Sequence, residues 1–276
     1  MPGPLKTLTA IGRFAGSRFS PRGRTPLAVY WKVTWRCNLS CDYCGVSRRQ
    51  GAELPTAALV TLLEEAAAAG VYRVTLSGGE PLLRKDLPLL IRTLTARGVS
   101  VGLDTNGALA PARVDALRGI SDATVSLDGA PEVHDAQRGA GSHAAAMEGI
   151  RALRAAGIPV VLAGVITTHN HALVDGLLDV AAALDLRAIV QPATPWLHDT
   201  DQPNPLAPDL RQVAEAVARL RGHRHADRLA NTRAYLDSFD RWPRMPVLPC
   251  PGGRIAAVVN PDGQVGCCDF GVPRDP

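Results

Sequence analysis

Three cysteines on one short loop constrain this chain more than any other feature of its sequence. Cys37, Cys41 and Cys44 have Cys-x3-Cys-x2-Cys spacing and follow a β-like run over residues 28–35. Three thiolates on one loop can hold three corners of a metal cluster and leave the fourth corner open, which is typical of a reactive centre. A zinc site would need a fourth protein ligand, and no neighbouring His or Cys supplies one. The spacing therefore favours an iron–sulfur cluster over zinc.

The placement of the cysteines also bears on the compartment. They fall into two groups, residues 37–44 and residues 250–268, and tight grouping without an export signal favours metal binding over disulfides. No run of about eighteen apolar residues occurs, so the sequence predicts a cytoplasmic protein without a transmembrane segment. A net charge of +4 gives no reason to expect nucleic-acid binding.

Strand-like and helix-like runs alternate from residue 28 to residue 222. The strand-like runs, rich in Val, Leu and Ile, cover residues 28–35, 72–77, 99–104, 123–127, 159–166 and 187–191. The helix-like runs cover residues 56–69, 87–97, 111–117, 143–156, 171–184 and 208–222. This pattern predicts an α/β fold with a parallel sheet and outer helices, namely a partial (β/α)6 TIM-like barrel.

Two other segments flank the predicted barrel, which we assign to residues 29–222. Residues 1–28 form a basic N-terminal arm without acidic residues. We expect the arm to cover the bottom of the barrel, with contact to a membrane surface or an acidic partner as the alternative. Residues 223–276 predict a linker with a short helix near residues 231–239, followed by a small C-terminal β-hairpin with an Asp-Gly turn at Asp262-Gly263.

Polar and glycine-rich motifs follow the first four predicted strands. The cysteine loop follows the first strand, Gly78-Gly79-Glu80-Pro81 the second, Thr105-Asn106-Gly107 the third and Asp128-Gly129 the fourth. The active sites of β/α barrels lie at the C-terminal ends of the strands. We therefore expect these motifs to meet at one site.

The cysteine motif, the Gly-Gly-Glu-Pro motif and the β/α pattern together resemble the radical S-adenosylmethionine (SAM) superfamily, over roughly residues 29–220. The likeness is greatest to the branch with an added C-terminal cluster domain, called SPASM or twitch. The resemblance implies an enzyme in which a reduced [4Fe–4S] cluster passes an electron to SAM. A 5′-deoxyadenosyl radical then forms and takes a hydrogen atom from the substrate.

The resemblance also implies roles for individual residues. Cys37, Cys41 and Cys44 would ligate three irons, and the amino and carboxylate groups of SAM would take the fourth. Gly78, Gly79 and Glu80 would bind the SAM ammonium group. The remaining candidates for cofactor contacts are Tyr43, Asn106, Ser126, Asp128, Arg138, Ile166 and Gln191. For Tyr43 the alternative is a packing role, and for Arg138 it is a surface salt bridge.

The hairpin carries the second cysteine group, Cys250, Cys267 and Cys268. It resembles the start of the auxiliary-cluster segment of that branch, but lacks the further cysteines of a full set. We expect a second iron–sulfur cluster with three cysteines and one open or non-cysteine ligand. The alternatives are a hairpin with free thiols and a chain that is cut short. Such a cluster would accept an electron or bind substrate.

The leading functional hypothesis is radical chemistry on a small biosynthetic intermediate, with a small-molecule substrate and a flavodoxin- or ferredoxin-type electron donor as partners. One alternative is modification of a ribosomally made peptide. Against it, only about thirty residues precede the first strand, which is short for a separate recognition domain. A second alternative, lipid-linked substrates with peripheral membrane contact, depends on the basic arm. The non-enzymatic alternative is an iron–sulfur or zinc-binding protein.

Overall fold

The computed structural model describes Gly12 and residues 25–49, 51–197, 202–243 and 255–267. The strands are β1 (Ala28–Lys32), β2 (Arg73–Ser77), β3 (Ser100–Thr105), β4 (Asp122–Ser126), β5 (Val160–Ile166), β6 (Arg187–Pro192), β7 (Ala256–Val259) and β8 (Val265–Gly266). The helices are α1 (Thr56–Ala69), α2 (Leu87–Thr95), α3 (Ala110–Arg113), α4 (Pro131–Arg138), α5 (Ser142–Ala155), α6 (Gly176–Ala183), α7 (Leu210–Gly222) and α8 (Arg233–Asp237). Short 3-10 helices occupy Val46–Arg48, Pro81–Leu83, Val114–Leu117, Ala226–Arg228 and Ser238–Arg241.

The strands form one sheet in the order β6-β5-β4-β3-β2-β1-β7-β8. All neighbours from β6 to β7 are parallel, and only β7 and β8 pair antiparallel. The sheet is open, because its two outermost strands in this order, β6 and β8, do not pair with each other. The predicted parallel α/β architecture of a partial barrel is confirmed.

The C-terminal hairpin lies within the main sheet. Strand β7 pairs with the free edge of β1, in the register Ala28↔Ala256 to Trp31↔Val259. The sequence predicts a hairpin here but not its partner, because the pairing joins residues far apart in the chain. The predicted boundaries at residues 28 and 222 stay a prediction.

Helix α4 is the element that the sequence pattern misses. Its segment, Pro-Glu-Val-His-Asp-Ala-Gln-Arg, has too few apolar residues to show an amphipathic period. Pro131 in its first turn is favourable for helix initiation. At α6 the sequence predicts too long a helix. The helix begins at Gly176, five residues after the predicted start at His171, because residues 168–175 form turns.

The two faces of the sheet differ in character. On one face, alternate residues such as Val74, Leu76, Val101 and Leu103 belong to the main hydrophobic core, together with apolar residues of the helices. The other, inner face of β2, β3 and β4 carries polar side chains such as Arg73, Ser77, Asp104, Asp122 and Thr124. This alternation follows from the two-residue period of a strand.

The outer edge of β6 is covered by the chain that follows α7. The amide side chain of Asn231 accepts a hydrogen bond from the Val190 N–H (2.8 Å) and donates one to the Val190 carbonyl (3.0 Å). The Ala230 N–H donates to the Ala188 carbonyl (2.7 Å). These contacts pair backbone groups that an edge strand would otherwise expose. In the described ranges no helix is long and apolar enough to span a bilayer.

Candidate functional site

The cysteine loop lies at the C-terminal end of β1. Its three cysteines are half-buried free thiols. Burial, and then the neighbouring Cys41 and Cys37, raise the pKa of the Cys44 thiol to about 11, and burial likewise raises the pKa of Cys37 and Cys41. Three thiols that oppose each other's ionisation lie close together, and a cationic metal centre would relieve that repulsion.

The spacing of these thiols suits a cluster better than a single ion. Within the part of the chain that the structure describes, no three His, Cys, Asp or Glu side chains are grouped closely enough to hold one metal ion. In a [4Fe–4S] cluster each cysteine binds a different iron, so its ligands stand farther apart than the ligands of one zinc ion. Cys37, Cys41 and Cys44 therefore fit the predicted cluster.

The beginning of the loop is fixed by a partly buried ionic anchor. The Glu53 carboxylate accepts hydrogen bonds from the Thr34 hydroxyl (2.7 Å) and the Trp35 N–H (2.8 Å). Arg84 donates to the Val33 carbonyl (2.8 Å) and lies 3.8 Å from Glu53. No motif in the sequence points to Glu53 or Arg84. They hold the chain where β1 ends and the cysteine loop begins.

The Gly-Gly-Glu-Pro motif packs against that same stretch. The Gly79 N–H donates to the Thr34 carbonyl, and the Glu80 N–H donates to the Arg36 carbonyl, both at 2.8 Å. Gly78 has φ +131°, and a Cβ on either glycine would collide with the backbone of Thr34 or Arg36. The resemblance implies that these glycines help to bind SAM, which stays a prediction. In the structure the glycines allow close approach to the cysteine loop itself.

Glu80 is fully buried and accepts hydrogen bonds from its own chain. Its donors are the Leu82 N–H (3.0 Å), the Asn106 N–H (2.8 Å) and the Thr105 hydroxyl, which is 2.9 Å from both carboxylate oxygens. Glu80 thus connects the loop after β2 to the loop after β3. The predicted contact between Glu80 and the SAM ammonium group stays a prediction.

Replacement of Glu80 by Gln is expected to lower the free energy of unfolding by about 1–3 kcal/mol, because the amide NH2 would face a buried donor in place of an acceptor. The control is Glu64→Gln, which affects a surface ion pair with Arg97 in which both side chains are about 40% exposed and should cost at most about 1 kcal/mol. Denaturant unfolding measures both variants. Equal losses would contradict the structural role of Glu80.

Asn106 lies next to the first cysteine. Its Nδ2 donates to Asn38 Oδ1 (2.8 Å) and is 4.0 Å from Cys37 Sγ. The motifs after β1, β2 and β3 therefore meet, as expected from the strand order.

Asp128 and Arg138 form one buried pair. Arg138 Nε donates to Asp128 Oδ2 (2.6 Å) and Nη2 donates to Oδ1 (3.0 Å), while the Val165 N–H also donates to Oδ1 (2.9 Å). Burial lowers the pKa of His134 to about 4, and its Nδ1 accepts the Asp128 N–H (3.1 Å). The predicted surface-salt-bridge alternative for Arg138 is wrong, because the side chain is only 7% exposed.

Tyr43 belongs to the cysteine loop and is buried against the loop after β6. It packs with Ala193 and Leu206, and the Arg138 guanidinium lies 5.5 Å from its ring centroid. Asn204 donates to the backbone carbonyls of Tyr43 (3.1 Å) and Thr194 (2.8 Å). No local pattern identifies Asn204 or Leu206, since both matter only through contacts with a loop about 160 residues earlier.

The last candidates are divided between the two faces of the sheet. Ser126 is half-buried on the inner face of β4, and Gln191 is exposed on β6. Ile166 is fully buried in the main core with the helices. Its side chain therefore cannot serve as the predicted adenine or substrate contact, and its neighbour Val165 packs beside Tyr43 instead. Successive side chains of a strand point to opposite faces of the sheet, so Val165 lies on the inner face and Ile166 in the core.

The second cysteine group is described only in part. Cys267 is an exposed free thiol just after β8. Cys250 and Cys268 lie outside the described residues. The second cluster therefore stays a prediction.

An inward-facing carboxyl, Asp104 on β3, also lies below this site. Burial raises its pKa to about 6, although hydrogen bonding from Thr124 and Ser77 favours the charged form. In the unfolded chain this carboxyl titrates near its ordinary pKa of about 4. Between about pH 4 and pH 6 the folded protein therefore binds the proton more tightly than the unfolded chain does, and the free energy of unfolding falls as the pH rises through this range.

The variant Asp104→Asn lacks this titration. We expect the unfolding free energy of the wild type, relative to Asp104→Asn, to fall by about 1–3 kcal/mol between pH 4 and pH 6. Contributions of the cysteine loop cancel in the difference, since both proteins carry it. Denaturant unfolding at several pH values gives the result, and a difference that stays constant with pH would contradict the raised pKa.

Comparison with known proteins agrees with this site. The family model of the radical SAM superfamily matches residues 31–181. The mycofactocin maturase MftC of Mycobacterium ulcerans is 32% identical over 90% of this chain and 69% of its own length. The PqqA peptide cyclase of Ruegeria pomeroyi is 34% identical over 88% of this chain and 67% of its own length. The chain thus spans about two thirds of each relative.

A solved structure shows the same fold. Streptococcus suis SuiB, in a crystal structure bound to the precursor peptide SuiA, superposes with a TM-score of 0.70 at 16% identity. The match covers 97% of this chain and 65% of SuiB.

These comparisons correct one prediction. The leading hypothesis makes a small molecule the substrate partner, but a relative is named a peptide cyclase and a structural neighbour is bound to a precursor peptide. The small-molecule prediction is therefore wrong.

The cofactor prediction is confirmed, since radical SAM enzymes use a [4Fe–4S] cluster and SAM, and Cys37, Cys41 and Cys44 fit that cluster. With a family match over residues 31–181 and relatives above 30% identity, this chain belongs to the radical SAM superfamily of enzymes, in its SPASM-type branch.

Proposed function

We propose that this enzyme modifies a ribosomally made peptide by radical chemistry. The observation that carries the proposal is the identity of 32–34% over about nine tenths of the chain to a mycofactocin maturase and a PqqA peptide cyclase. Bound cluster and SAM would supply a carbon radical that removes a hydrogen atom from the peptide. The chain's own part is to hold the cluster and SAM, orient the peptide and keep water away.

The shape of the sheet supports a peptide substrate. The described strands do not close into a complete barrel, because β6 and β8 do not pair with each other. Trp196, in the loop after β6, is 42% exposed, and Ile189 on the inner face of β6 is 36% exposed. Exposed apolar side chains beside a polar inner face suit the binding of an extended peptide that carries both apolar and polar side chains.

The test uses the reconstituted, reduced holoenzyme with SAM under anaerobic conditions. The probes are any short peptides encoded beside its gene, with the PqqA peptide and SuiA as reference probes. We expect 5′-deoxyadenosine together with a mass change in one encoded peptide, and no mass change in a scrambled version of it. If the loaded enzyme cleaves SAM but changes none of the peptides, the proposal is overturned.

The electron donor and the second cluster enter the same experiment. We propose a flavodoxin or ferredoxin as the donor, which should replace the chemical reductant. Iron analysis decides the cluster count, since about four irons per chain mean one cluster and about seven or eight mean two. If the wild type holds about seven or eight irons, replacement of Cys267 by Ser should lower that number. If it holds about four, the replacement should leave the number unchanged.

A further inference from the structure

The function proposed above leaves one inward-facing group of the barrel without a role. Asp104 is the carboxyl of β3, two residues before Asn106, whose side chain reaches the cysteine loop. Two residues along a strand correspond to about 7 Å. Asp104 therefore faces the interior roughly one step below the site at which the three cysteines, Asn106 and the Gly-Gly-Glu-Pro loop meet.

The neighbours of Asp104 place it in a row across the inner face. Asp104 lies opposite Thr124 of β4 in the sheet register, and Thr124 lies opposite Val161 of β5. On the other side is Ser77 of β2. Beyond Ser77, Lys32 of β1 continues the row in the register. The row thus runs from a buried lysine to hydroxyl, carboxyl and hydroxyl, and then becomes aliphatic.

Other carboxylates near the site are already engaged by the protein. Asp122 forms a bidentate pair with Arg73 at 2.7 and 2.9 Å, and that pair passes over Gly102, where a Cβ would collide with the Arg73 guanidinium. Asp128 is paired with Arg138. Glu80 accepts three donors of its own chain.

Asp104 differs, since its hydrogen-bond donors are the hydroxyls of Thr124 and Ser77, whereas Arg73, which is hydrogen-bonded to Asp122, acts on it through its charge. A carboxylate can accept about four hydrogen bonds. Asp104 therefore keeps acceptor capacity toward the interior. The facing part of the inner wall, formed by Val161, Ala163 and Val165 of β5, contains no donor side chain.

We propose that Asp104 is a substrate-binding residue that accepts a hydrogen bond from an N–H or cationic group of the peptide residue placed inside the barrel. This inference rests on the proposed function, because it takes the occupant to be a peptide. The aliphatic side chains of β5 then contact the apolar part of the same residue. Asp104 thereby selects a peptide residue with a donor on one side and an apolar surface on the other.

The experiment compares the wild-type holoenzyme with Asp104→Ala, Asp104→Asn and the control Ser100→Ala. Ser100 lies on the same face of β3, four residues farther from the site, and contacts Ser121 at 2.8 Å. The probe is the encoded peptide that the wild type modifies. The quantities measured are its KM, the ratio of modified peptide to 5′-deoxyadenosine, and SAM cleavage without peptide.

We expect Asp104→Ala to raise KM for the peptide about tenfold or more, as for loss of a hydrogen bond to a charged group. Asp104→Asn, which keeps the shape and one acceptor oxygen, should show a smaller rise. SAM cleavage without peptide and the iron content should match the wild type in all variants. A merely structural role would instead change the iron content or the peptide-independent cleavage.

The two proposals fail in different ways. If the wild type modifies a peptide but Asp104→Ala and Asp104→Asn keep the KM and product ratio of Ser100→Ala, the role of Asp104 is overturned and the proposed function stands. If the wild type modifies no peptide, the proposed function is overturned and this inference falls with it.

Discussion

Replacement of Cys41 by Ala is expected to abolish SAM cleavage, with 5′-deoxyadenosine reduced by at least about a hundredfold. Cys41 is half-buried, raises the pKa of the other two thiols and feels the charges of Arg138 and Asp128. Two remaining cysteines cannot hold a [4Fe–4S] cluster with one open iron.

The matched control is Cys267→Ala. Cys267 is exposed and lies just after β8, so its loss should leave SAM cleavage by the first cluster intact. Iron content, the electron paramagnetic resonance signal of the reduced protein and 5′-deoxyadenosine are measured for both variants. A Cys41→Ala protein that keeps the signal and cleaves SAM would show that the cluster is held elsewhere.

Replacement of Arg138 by Met is expected to destabilise the fold by about 3–5 kcal/mol, because it leaves a buried carboxylate without its counter-charge. Asp128 is fully buried, and after the change it would keep only the Val165 N–H as a described donor to its carboxylate. The Arg138 charge also lowers the pKa of Cys41, so the variant should hold its cluster less well.

A second ion pair in the same barrel provides the control. Arg73 and Asp122 are also joined by two hydrogen bonds, here through Nη1 and Nη2, but their side chains are 33% and 29% exposed. Replacement of Arg73 by Met should therefore cost only about 1 kcal/mol. Adding Asp128→Asn to Arg138→Met should restore part of the lost stability, because it removes the unpaired charge. Denaturant unfolding measures all of these variants, and equal losses for the two arginines would contradict the argument from burial.

The sequence predicts well the elements that are encoded by a local apolar pattern, and less well those that depend on contacts between distant residues. Strands β2 to β6 lie within one or two residues of their predicted bounds, and α1 matches its prediction over residues 56–69. Their periodic apolar residues are local information. Helix α4 has no such period, and it is held by contacts such as the Asp128–Arg138 pair and the Asp128–His134 hydrogen bond.

The candidate site shows the same division residue by residue. Cys37, Cys41 and Cys44 could be proposed from the sequence because cluster ligands on one loop have a characteristic spacing. The burial of Glu80 could not be predicted from the sequence, since its partners Thr105 and Asn106 lie at the end of another strand. Ile166 was misplaced by one residue, which on a strand is enough to exchange the core for the inner face.

The sequence by itself determined the family and the parallel β/α order and proposed the three cluster ligands, because each is encoded in short-range spacing. Tertiary structure alone decided how the rest of the chain serves those ligands. It paired Asp128 with Arg138, placed Asn204 against the Tyr43 carbonyl, joined β7 to β1 and left Asp104 facing the interior. Each of these outcomes depends on which distant backbone or side chain meets a given residue, and that is set by the packing of the sheet as a whole.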